Sequence, residues 1–346
     1  MINVAMLSFA HTHARGYAND VQNNPDAQIV AVWDEEEYGG REAASDFNAP
    51  FYADLDAVLD LDDVDAVVVN APTSEHPRVM IAAAEAGKHI FTEKALAITV
   101  DECDEIIAAV EKAGVKFMIS LPSRCNAGLL FAKRAVDDGL LGDLTFGRGR
   151  IAHPAAVDGW LRDTSIWFAD AKRAGGGALF DLGCHRMDVV PWLMGTPKSV
   201  IAKINNHRGT YPIDDNSASV IEFENNALGV VDVSWVHRHG PNMLELYGTD
   251  GAIVSGYGDK HFETLHSIAV GQENVHFETR NLSDDEKAEY AASSPPPPPP
   301  PMQQWFNAIL HGAPITITIQ DGRNLTELMQ ACYLSAEQGR SVDLPL

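Results

Sequence analysis

The first third of the chain alternates short apolar runs with longer amphipathic segments. The runs are rich in valine, isoleucine and alanine and predict strands, whereas the segments between them predict helices. We expect strands at 3–7, 28–33, 66–70, 89–92 and 116–120, and helices at 13–23, 41–47, 77–86 and 100–113. Regular alternation of strand and helix predicts an α/β fold with a doubly wound parallel sheet.

The pattern changes beyond this region. After one predicted helix, at 127–138, the predicted strands follow one another directly, at 200–206, 218–224, 229–235, 243–247 and 252–255. Consecutive strands without helices between them predict a large, mostly antiparallel open sheet. We therefore expect two domains, an N-terminal α/β domain over residues 1–122 and a C-terminal α+β domain over residues 123–346. One face of an alternating sheet packs and the other can meet a partner subunit, so we expect a homo-dimer or homo-tetramer.

The chain ends in two further predicted helices, at 302–310 and 324–338. A run of seven prolines, Pro295–Pro301, precedes the first of them. Because proline fixes the backbone angle and has no amide hydrogen, the run predicts an extended polyproline segment. We interpret it as a stiff spacer, and the alternative is a peptide ligand for a partner.

Charge and cysteine content exclude several classes of function. The chain has 49 acidic against 25 basic residues, a net charge of −24 that repels nucleic acid and anionic membranes. The 4 cysteines lie far apart without a C-x-x-C pair, which argues against a disulfide framework and a zinc ribbon. Neither a basic leader nor an apolar run long enough for a membrane span is present. We expect a cytoplasmic protein.

The turn after the first predicted strand is a candidate cofactor site. A dinucleotide site needs a strand, a tight turn that approaches the diphosphate, and a helix that begins there. The three glycine positions of the usual G-x-G-x-x-G motif hold Ser8, Ala10 and His13 here. The candidate cofactor-binding residues of this turn are Ser8, Phe9, Ala10, His11, Thr12 and His13.

Asp34 ends the second predicted strand, about 20 residues beyond the turn, where an acid binds the ribose 2′-hydroxyl of NAD. Three glutamates, Glu35–Glu37, follow it and would repel the 2′-phosphate of NADP. The sequence therefore favours NAD over NADP. Arg41 is the residue that could reverse this preference, and a solvated acid is the alternative interpretation of Asp34.

Two more segments follow predicted parallel strands, at 70–76 and 89–95. Ligands of open α/β sheets bind at the carboxyl ends of the strands. The further cofactor candidates are Asn70, Pro72, His76, Glu93 and Lys94. Burial and neighbours can tune the pKa of a lysine in such a place, so Lys94 is a candidate proton-transfer group. The alternative is a surface lysine paired with Glu93.

Three glycines, Gly175–Gly177, precede a predicted helix that carries Asp181 and His185. In a helix that begins just after the glycines, these two residues share one face, where the carboxylate can orient the imidazole. The alternative is a capping aspartate and a core histidine.

Two of these segments resemble motifs of the glucose-fructose oxidoreductase, inositol dehydrogenase and rhizopine-catabolism (Gfo/Idh/MocA) family. Residues 86–94, A-G-K-H-I-F-T-E-K, resemble its A-G-K-H-[VI]-x-x-E-K-P segment, and residues 175–188 resemble its G-G-G-x-[LI]-x-D-x-G-x-H-x-x-D segment. The resemblance spans essentially the whole chain. Ala95 replaces the proline of E-K-P, and the glycine-rich turn is altered.

The resemblance implies a Rossmann domain and an NAD-dependent oxidoreductase acting on a secondary alcohol of a sugar, cyclitol or related polyol. It implies that Lys94 and His185 share the hydroxyl proton. We assign His185 as general base, Lys94 as hydrogen-bond donor or proton relay, and Asp181 as an orienting group, and the first two roles can be exchanged. Candidate substrate-binding residues, by position only, are Arg124, Asn126, Trp160, Arg162, Trp167 and Lys172.

Two other functions remain open. A metal-dependent hydrolase would use ligands from among His11, His13, His153, Asp181, His185, His237 and His239. A binding or regulatory protein would keep the fold and NAD without turnover, as the lost glycines suggest. We expect no resident metal, because the two H-x-H pairs fall in different predicted domains.

Overall fold

A computed structural model describes residues 1–238, 240–256, 266–270 and 273–346. The chain forms two compact units. Unit 1 contains Met1–Ser120, Leu161–Gly177 and Pro299–Thr326, and unit 2 contains Leu121–Trp160, Ala178–Pro298 and Glu327–Leu346. The predicted domains, residues 1–122 and 123–346, are each one continuous stretch, whereas each unit consists of three stretches.

Unit 1 is built on a parallel sheet of six strands in the order β3-β2-β1-β4-β5-β6. The strands are β1 (Ile2–Leu7), β2 (Ala27–Trp33), β3 (Phe51–Tyr52), β4 (Ala66–Val69), β5 (His89–Thr92) and β6 (Phe117–Ile119). The predicted doubly wound fold is confirmed. The strand order reverses between β1 and β4, which opens a crevice at their carboxyl ends, where ligands bind in this fold.

In chain order the helices are α1 (Ala14–Asn23), α2 (Glu37–Asp46), α3 (Leu55–Leu59), α4 (His76–Glu85), α5 (Val100–Ala113), α6 (Ala127–Asp137), α7 (Ala155–Asp158), α8 (Ala171–Ala174), α9 (Cys184–Met194), α10 (Asp284–Ala292), α11 (Pro301–His311) and α12 (Ile319–Gln338). Most predicted helices are present, but α2 and α12 begin earlier than expected, and α3, α7, α8 and α10 were not predicted. Helix α5 shows why its bounds could be predicted. Thr99 and Glu102 form a capping box at its beginning, and Gly114 ends it with φ 66°.

Unit 2 contains a sheet of nine strands in the order β13-β14-β12-β11-β7-β10-β9-β8-β15. Its strands are β7 (Leu144–Ala152), β8 (Pro197–Asn205), β9 (Asn216–Phe223), β10 (Leu228–Ser234), β11 (Met243–Gly248), β12 (Gly251–Ser255), β13 (His266–Val270), β14 (Glu273–Thr279) and β15 (Val342–Asp343). Neighbouring strands are antiparallel except for β7 and β10. The predicted mostly antiparallel sheet is confirmed.

Strand β7 lies in the middle of this sheet and was not predicted. Its Gly147 and Gly149 face α9, where an added Cβ would lie 2.1 Å from Met194 Sδ and 2.8 Å from Val190 Cγ2. The glycines therefore let α9 pack close to the sheet. This close packing positions the segment that precedes α9.

The sheet of unit 2 exposes apolar side chains along one face. Ile201 and Val220 are register partners on neighbouring strands, and they are 42% and 40% exposed. Leu228 on the next strand is 45% exposed. Among the described residues, no helix is both long and apolar enough to cross a membrane.

Candidate active site

The nucleotide turn, residues 8–13, keeps the shape of a glycine turn without its glycines. Ser8 is fully buried and has φ 73°, a left-handed conformation that favours glycine. Its Oγ accepts the Ala10 amide at 3.1 Å. A small hydroxylated side chain thus replaces the first glycine and satisfies one turn amide itself.

Asp34 holds this turn to the end of β2. Its Oδ2 accepts the Phe9 amide at 2.7 Å, and its Oδ1 accepts the Glu36 amide at 2.8 Å. Burial raises the pKa of this carboxyl, and the two amide hydrogen bonds oppose that shift. Each oxygen keeps a second lone pair for a ribose hydroxyl. Arg41 is held by an ion pair with Glu37 at 2.6 Å.

Asn70, at the carboxyl end of β4, is completely buried. Neither its amide oxygen nor its amide nitrogen has a hydrogen-bond partner among the described residues. Buried polar atoms in native proteins are nearly always paired, so this amide points to a ligand bound here. Pro72 lies buried close by in the chain.

His76 supports the same edge of the sheet. Its Nδ1 lies 3.0 Å from the Ala95 carbonyl oxygen, and its Nε2 lies 3.1 Å from the Ala71 carbonyl oxygen. Burial lowers the pKa of the ring. Since both nitrogens contact the backbone, we expect His76 to hold the two loops rather than to touch a cofactor.

Glu93 forms the centre of a buried polar cluster. Its side chain is 2% exposed and accepts hydrogen bonds from the Tyr17 hydroxyl and, at 2.9 Å, from the Lys94 amide. His13 Nδ1 lies 2.8 Å from Oε1. Burial alone would raise the pKa of Glu93, but His11, His13 and Lys94 together hold it well below its usual value. Glu93 is therefore an anion.

His11, His13 and Glu93 could in principle hold a metal ion, because their candidate ligand atoms lie within 4.8 Å of one another. The His13 amide, however, donates to His11 Nδ1 at 3.2 Å. A neutral His11 ring then carries its proton on Nε2, the atom that faces Glu93 Oε2 at 3.9 Å. Tyr17, His13 and the Lys94 amide are thus the hydrogen-bond partners described for Glu93, and His11 Nε2 faces it from beyond hydrogen-bond distance.

The other histidines of the hydrolase hypothesis lie elsewhere. His153 stacks on Trp160 with ring centroids 4.8 Å apart, and His237 Nδ1 lies 3.0 Å from an Arg150 nitrogen. His239 lies outside the described residues. Of the described part of the chain, only the triad in unit 1 brings three possible ligands together.

Lys94 is 7% exposed and follows β5, and its peptide bond to Ala95 is cis. Trp167 is 3% exposed and its indole nitrogen donates to the Ala10 carbonyl at 2.9 Å. This predicted substrate residue therefore packs on the nucleotide turn. Arg162 and Lys172 of the same segment are exposed.

In unit 2, Asp181 lies in a π-helical turn, Leu179–Gly183, that leads directly into α9. A regular α-helix was expected here. Extra-wide turns of this kind occur often at functional sites. Both Asp181 and His185 are partly exposed.

Asp214 fixes the beginning of this helix, and sequence reasoning missed it. Its backbone oxygen accepts the Ala178 amide at 2.9 Å, and its Oδ2 accepts the Leu179 amide at 3.0 Å. The Tyr333 hydroxyl donates to Oδ1 at 2.8 Å. The bonds join residues far apart in sequence, so no local motif reveals them.

Two predicted substrate residues of unit 2 make structural contacts. Arg124 pairs with the buried Asp188 at 2.6 Å, and Asn126 caps α6 and donates to Glu273 at 2.6 Å. Asn126 also borders a cavity of about 660 Å³. The cavity is lined mainly by polar residues, among them the half-buried Arg186, which the sequence did not single out. The polar residues are Ser123, Asn126, Arg186, Asn242, Ser255, Glu273 and Asn274.

Comparison with known proteins identifies the family. Residues 2–121 match the profile described as oxidoreductase family, NAD-binding Rossmann fold, and residues 129–254 match the GFO/IDH/MocA C-terminal domain. The chain belongs to the Gfo/Idh/MocA family. Its relatives include 2,7-anhydro-N-acetylneuraminate hydratase of Mediterraneibacter gnavus, 30% identical over 66% of this chain and 60% of that protein. The matched stretch is therefore less than two thirds of that relative.

Longer matches exist to other members of the Gfo/Idh/MocA family. Myo-inositol 2-dehydrogenase of Thermotoga maritima is 25% identical over 95% of this chain and 94% of that protein. The WlbA dehydrogenase of Bordetella pertussis, solved with NADH and UDP-GlcNAcA, has a TM-score of 0.84 at 20% identity, covering 100% of this chain and 98% of that chain. The structural likeness confirms the fold.

Proposed function

We propose that this protein is a cytoplasmic NAD-dependent dehydrogenase that oxidises a secondary alcohol of a sugar, cyclitol or related polyol. The buried Asn70 amide carries the proposal. It follows β4 and leaves a donor and an acceptor for a ligand, while Glu93 and Lys94 follow the neighbouring β5. Together with the family, this arrangement supports a dinucleotide at the carboxyl edge of the sheet.

The described residues fit NAD in three places. The nucleotide turn would hold the diphosphate, Asp34 the adenosine ribose, and Asn70 a polar group further along the cofactor. NAD is favoured over NADP because Asp34 would repel a 2′-phosphate and because Arg41 is held by Glu37. When bound, the cofactor supplies the hydride acceptor.

Loss of hydride from the alcohol carbon requires that the hydroxyl proton leave as well. We assign its removal to His185 as general base, with Lys94 as donor or relay to the same oxygen, and these roles can be exchanged. Asp181 orients His185 or the substrate. The π-helical turn held by Asp214 supports this assignment, because it gives Asp181 and His185 a fixed backbone.

The substrate class follows from the relatives and from the polar residues of unit 2. Relatives are named as dehydrogenases of inositols, levoglucosan and D-glucosides. Asn126 and the polar cavity beside it suit a polyhydroxylated ligand. Arg124, Trp160, Arg162, Trp167 and Lys172 remain proposed as substrate contacts.

Hydration of an anhydro sugar is the second candidate function. Two relatives are named 2,7-anhydro-N-acetylneuraminate hydratase. A net dehydrogenase releases NADH, whereas a hydratase changes the sugar without net NADH formation, so the two functions separate in one assay.

The exposed apolar stripe Ile201, Val220 and Leu228 supports assembly into a homo-dimer or homo-tetramer through the sheet of unit 2. Lys198 and Glu222 form an ion pair at 2.7 Å on neighbouring strands of this sheet. Mass measurement in solution, with Val220→Lys as the disrupting variant, tests this assembly.

The main test is a screen of polyols and sugars with NAD or NADP, following NADH by its absorbance. We expect at least one secondary alcohol to reduce NAD, and NADP to be reduced poorly. NAD binding without turnover on any substrate would favour a regulatory protein, and the absence of NAD binding would overturn the proposal.

A further inference from the structure

We propose that the substrate carries a carboxylate and that Arg186, on α9, binds it, so that the dehydrogenase acts on a sugar acid. The inference rests on the proposed function and narrows its substrate class. It concerns the polar cavity of about 660 Å³, whose described lining residues all belong to unit 2. Among those residues Arg186 is the only one with a positive charge.

The first argument is the way in which the Arg186 side chain is held. An added Cβ at Gly149 of β7 would lie 3.2 Å from both Cβ and Cδ of Arg186. The stem of the side chain therefore lies directly on the strand, and its Nε donates to the Arg150 carbonyl oxygen at 3.2 Å. A guanidinium held at Nε keeps its outer edge, Nη1 and Nη2, for another partner. Because the stem is already fixed, binding of a ligand there costs little side-chain freedom.

The second argument is the pairing of the Arg186 charge. Among the residues that the structure describes, Arg186 makes no other hydrogen bond and no ion pair. Burial lowers the pKa of its guanidinium, and the charge of Glu273 opposes that shift. A charge that is withdrawn from water without a close partner is costly, so such charges in proteins are usually paired. An arginine in this state in the wall of a cavity points to an anionic ligand.

The third argument is the set of donors and acceptors around the arginine. Asn242 Oδ1 accepts the Ala152 amide at 2.8 Å, which leaves the two hydrogens of its amide nitrogen as donors. Glu273 Oε1 accepts from Asn126 at 2.6 Å, and its carboxylate can accept further bonds from hydroxyl groups. A sugar acid offers both chemistries, because its carboxylate suits Arg186 and its hydroxyls suit Glu273. A neutral polyol would leave the arginine without a counter-charge.

Charge and shape favour a carboxylate over a phosphate ester. Glu273 lines the same cavity, so a phosphate dianion would meet about twice the repulsion that a carboxylate meets. The remaining edge of the guanidinium also matches the two coplanar oxygens of a carboxylate, which can accept from Nη1 and Nη2 together. We therefore expect an aldonic or uronic acid.

The test compares matched pairs of an acid and a neutral compound with NAD: glucuronate with glucose, galacturonate with galactose, and gluconate with glucitol. We expect an acid to be favoured over its neutral partner by about 10- to 100-fold in kcat/KM, as for hydrogen bonds to a charged group. Glucose 6-phosphate is the phosphate probe and should be a poorer substrate than glucuronate. Calorimetry with the same compounds follows binding without turnover.

Variants assign the carboxylate to one residue. Arg186→Met keeps the length of the stem and removes the charge, so it should abolish the preference for the acid, mainly by raising KM. Arg186→Lys keeps a charge without the planar edge and should retain part of the preference. Arg280→Met is the matched control, since the side chain of Arg280 is 71% exposed and pairs with Asp250 outside the cavity, and it should leave the preference unchanged.

The outcomes separate this inference from the proposed function. Turnover with the neutral partner preferred in every pair would refute the carboxylate and leave the dehydrogenase intact. An unchanged acid preference in folded Arg186→Met, or in Arg186→Lys if the first variant does not fold, would assign the carboxylate to another residue. A better reaction with glucose 6-phosphate than with glucuronate would make the anion a phosphate. Binding of an acid without any turnover would instead refute the proposed function alone, and failure of every compound to bind would refute both.

Discussion

The nucleotide turn of unit 1 and the beginning of α9 in unit 2 position polar side chains by different means. The turn has lost its glycines, and Asp34, Ser8 and Glu93 now bind its amides and side chains. The segment before α9 keeps three glycines and continues as a π-helical turn, with Asp214 bound at its start. In the turn, side chains make hydrogen bonds at positions where glycines usually stand. Before α9 the glycines remain, and the distant Asp214 holds the backbone that follows them.

The two regions should respond differently to substitution. The turn depends on a few carboxylates that are themselves buried, so a single substitution should change ligand binding. The segment before α9 depends on helix packing over Gly147 and Gly149 as well, so loss of one hydrogen bond should change stability more than binding.

The largest effect is expected from loss of the two residues proposed to handle the proton, Lys94 after β5 in unit 1 and His185 on α9 in unit 2. Lys94→Ala and His185→Ala should each lower kcat by about 10²- to 10⁴-fold, with NAD affinity largely unchanged. Steady-state kinetics on a substrate from the screen measure this. If both groups act on one hydroxyl proton, as proposed, the double variant should cost much less than the product of the two single costs. Near-full turnover in both single variants would refute the assignment.

Removal of the acid that holds the turn should have the next largest effect. Asp34→Ser should weaken NAD by about 1–3 kcal/mol and relax discrimination against NADP, because it removes a ribose acceptor and two amide bonds. Calorimetry with both cofactors measures this. Asp34→Asn, which keeps one oxygen acceptor, is the matched control. Equal affinity of the unaltered protein for NAD and NADP would contradict the role of Asp34.

In unit 2 the corresponding change is Asp214→Ala. We expect a loss of about 0.5–2 kcal/mol in the free energy of unfolding, as for removal of a helix cap. Denaturant unfolding measures it, and NAD affinity should not change. Tyr333→Phe removes only one of the bonds to Asp214 and should cost less. A larger cost for Tyr333→Phe would show that Asp214 acts mainly through the tyrosine.

The smallest effect is expected outside both regions. The expected extended run Pro295–Pro301 is one residue shorter than predicted, because Pro301 is the buried first residue of α11. Replacement of Pro295–Pro300 by a Gly/Ser stretch should leave turnover within about a few-fold, because the run is predicted to be a spacer away from the reacting groups. Kinetics and thermal unfolding of the same variant measure this. Collapse of activity in a folded variant would show that the segment shapes the site.

The sequence allowed prediction of most of unit 1, because parallel strands buried on both faces appear as apolar runs bounded by helices. All four residues of β4, for example, are buried. Strand β7 could not be predicted, because its glycines and arginines hide the apolar alternation. The glycines of β7 are needed because α9 packs closely on this strand, and the sequence alone does not show that packing.

The candidate site also has a part that the sequence predicts and a part that it does not. The sequence could place Asp34, Asn70 and Lys94 near the carboxyl ends of strands, because each lies at the end of a predicted strand or within two residues of it. The π-helical turn has no known sequence signature, and Asp214 and Tyr17 bind partners at sequence separations of 35 and 76 residues. Such long-range bonds are set by the fold rather than by local patterns.

The return of two late segments to unit 1 matters for protein engineering. The chain passes between the units after residues 120, 160, 177, 298 and 326. Trp167 from the first returning segment bonds the Ala10 carbonyl, and Trp305 from the second packs on Phe91 with ring centroids 5.7 Å apart. Exchange of cofactor preference between relatives by grafting whole domains would therefore require three separate stretches of the gene to be moved together.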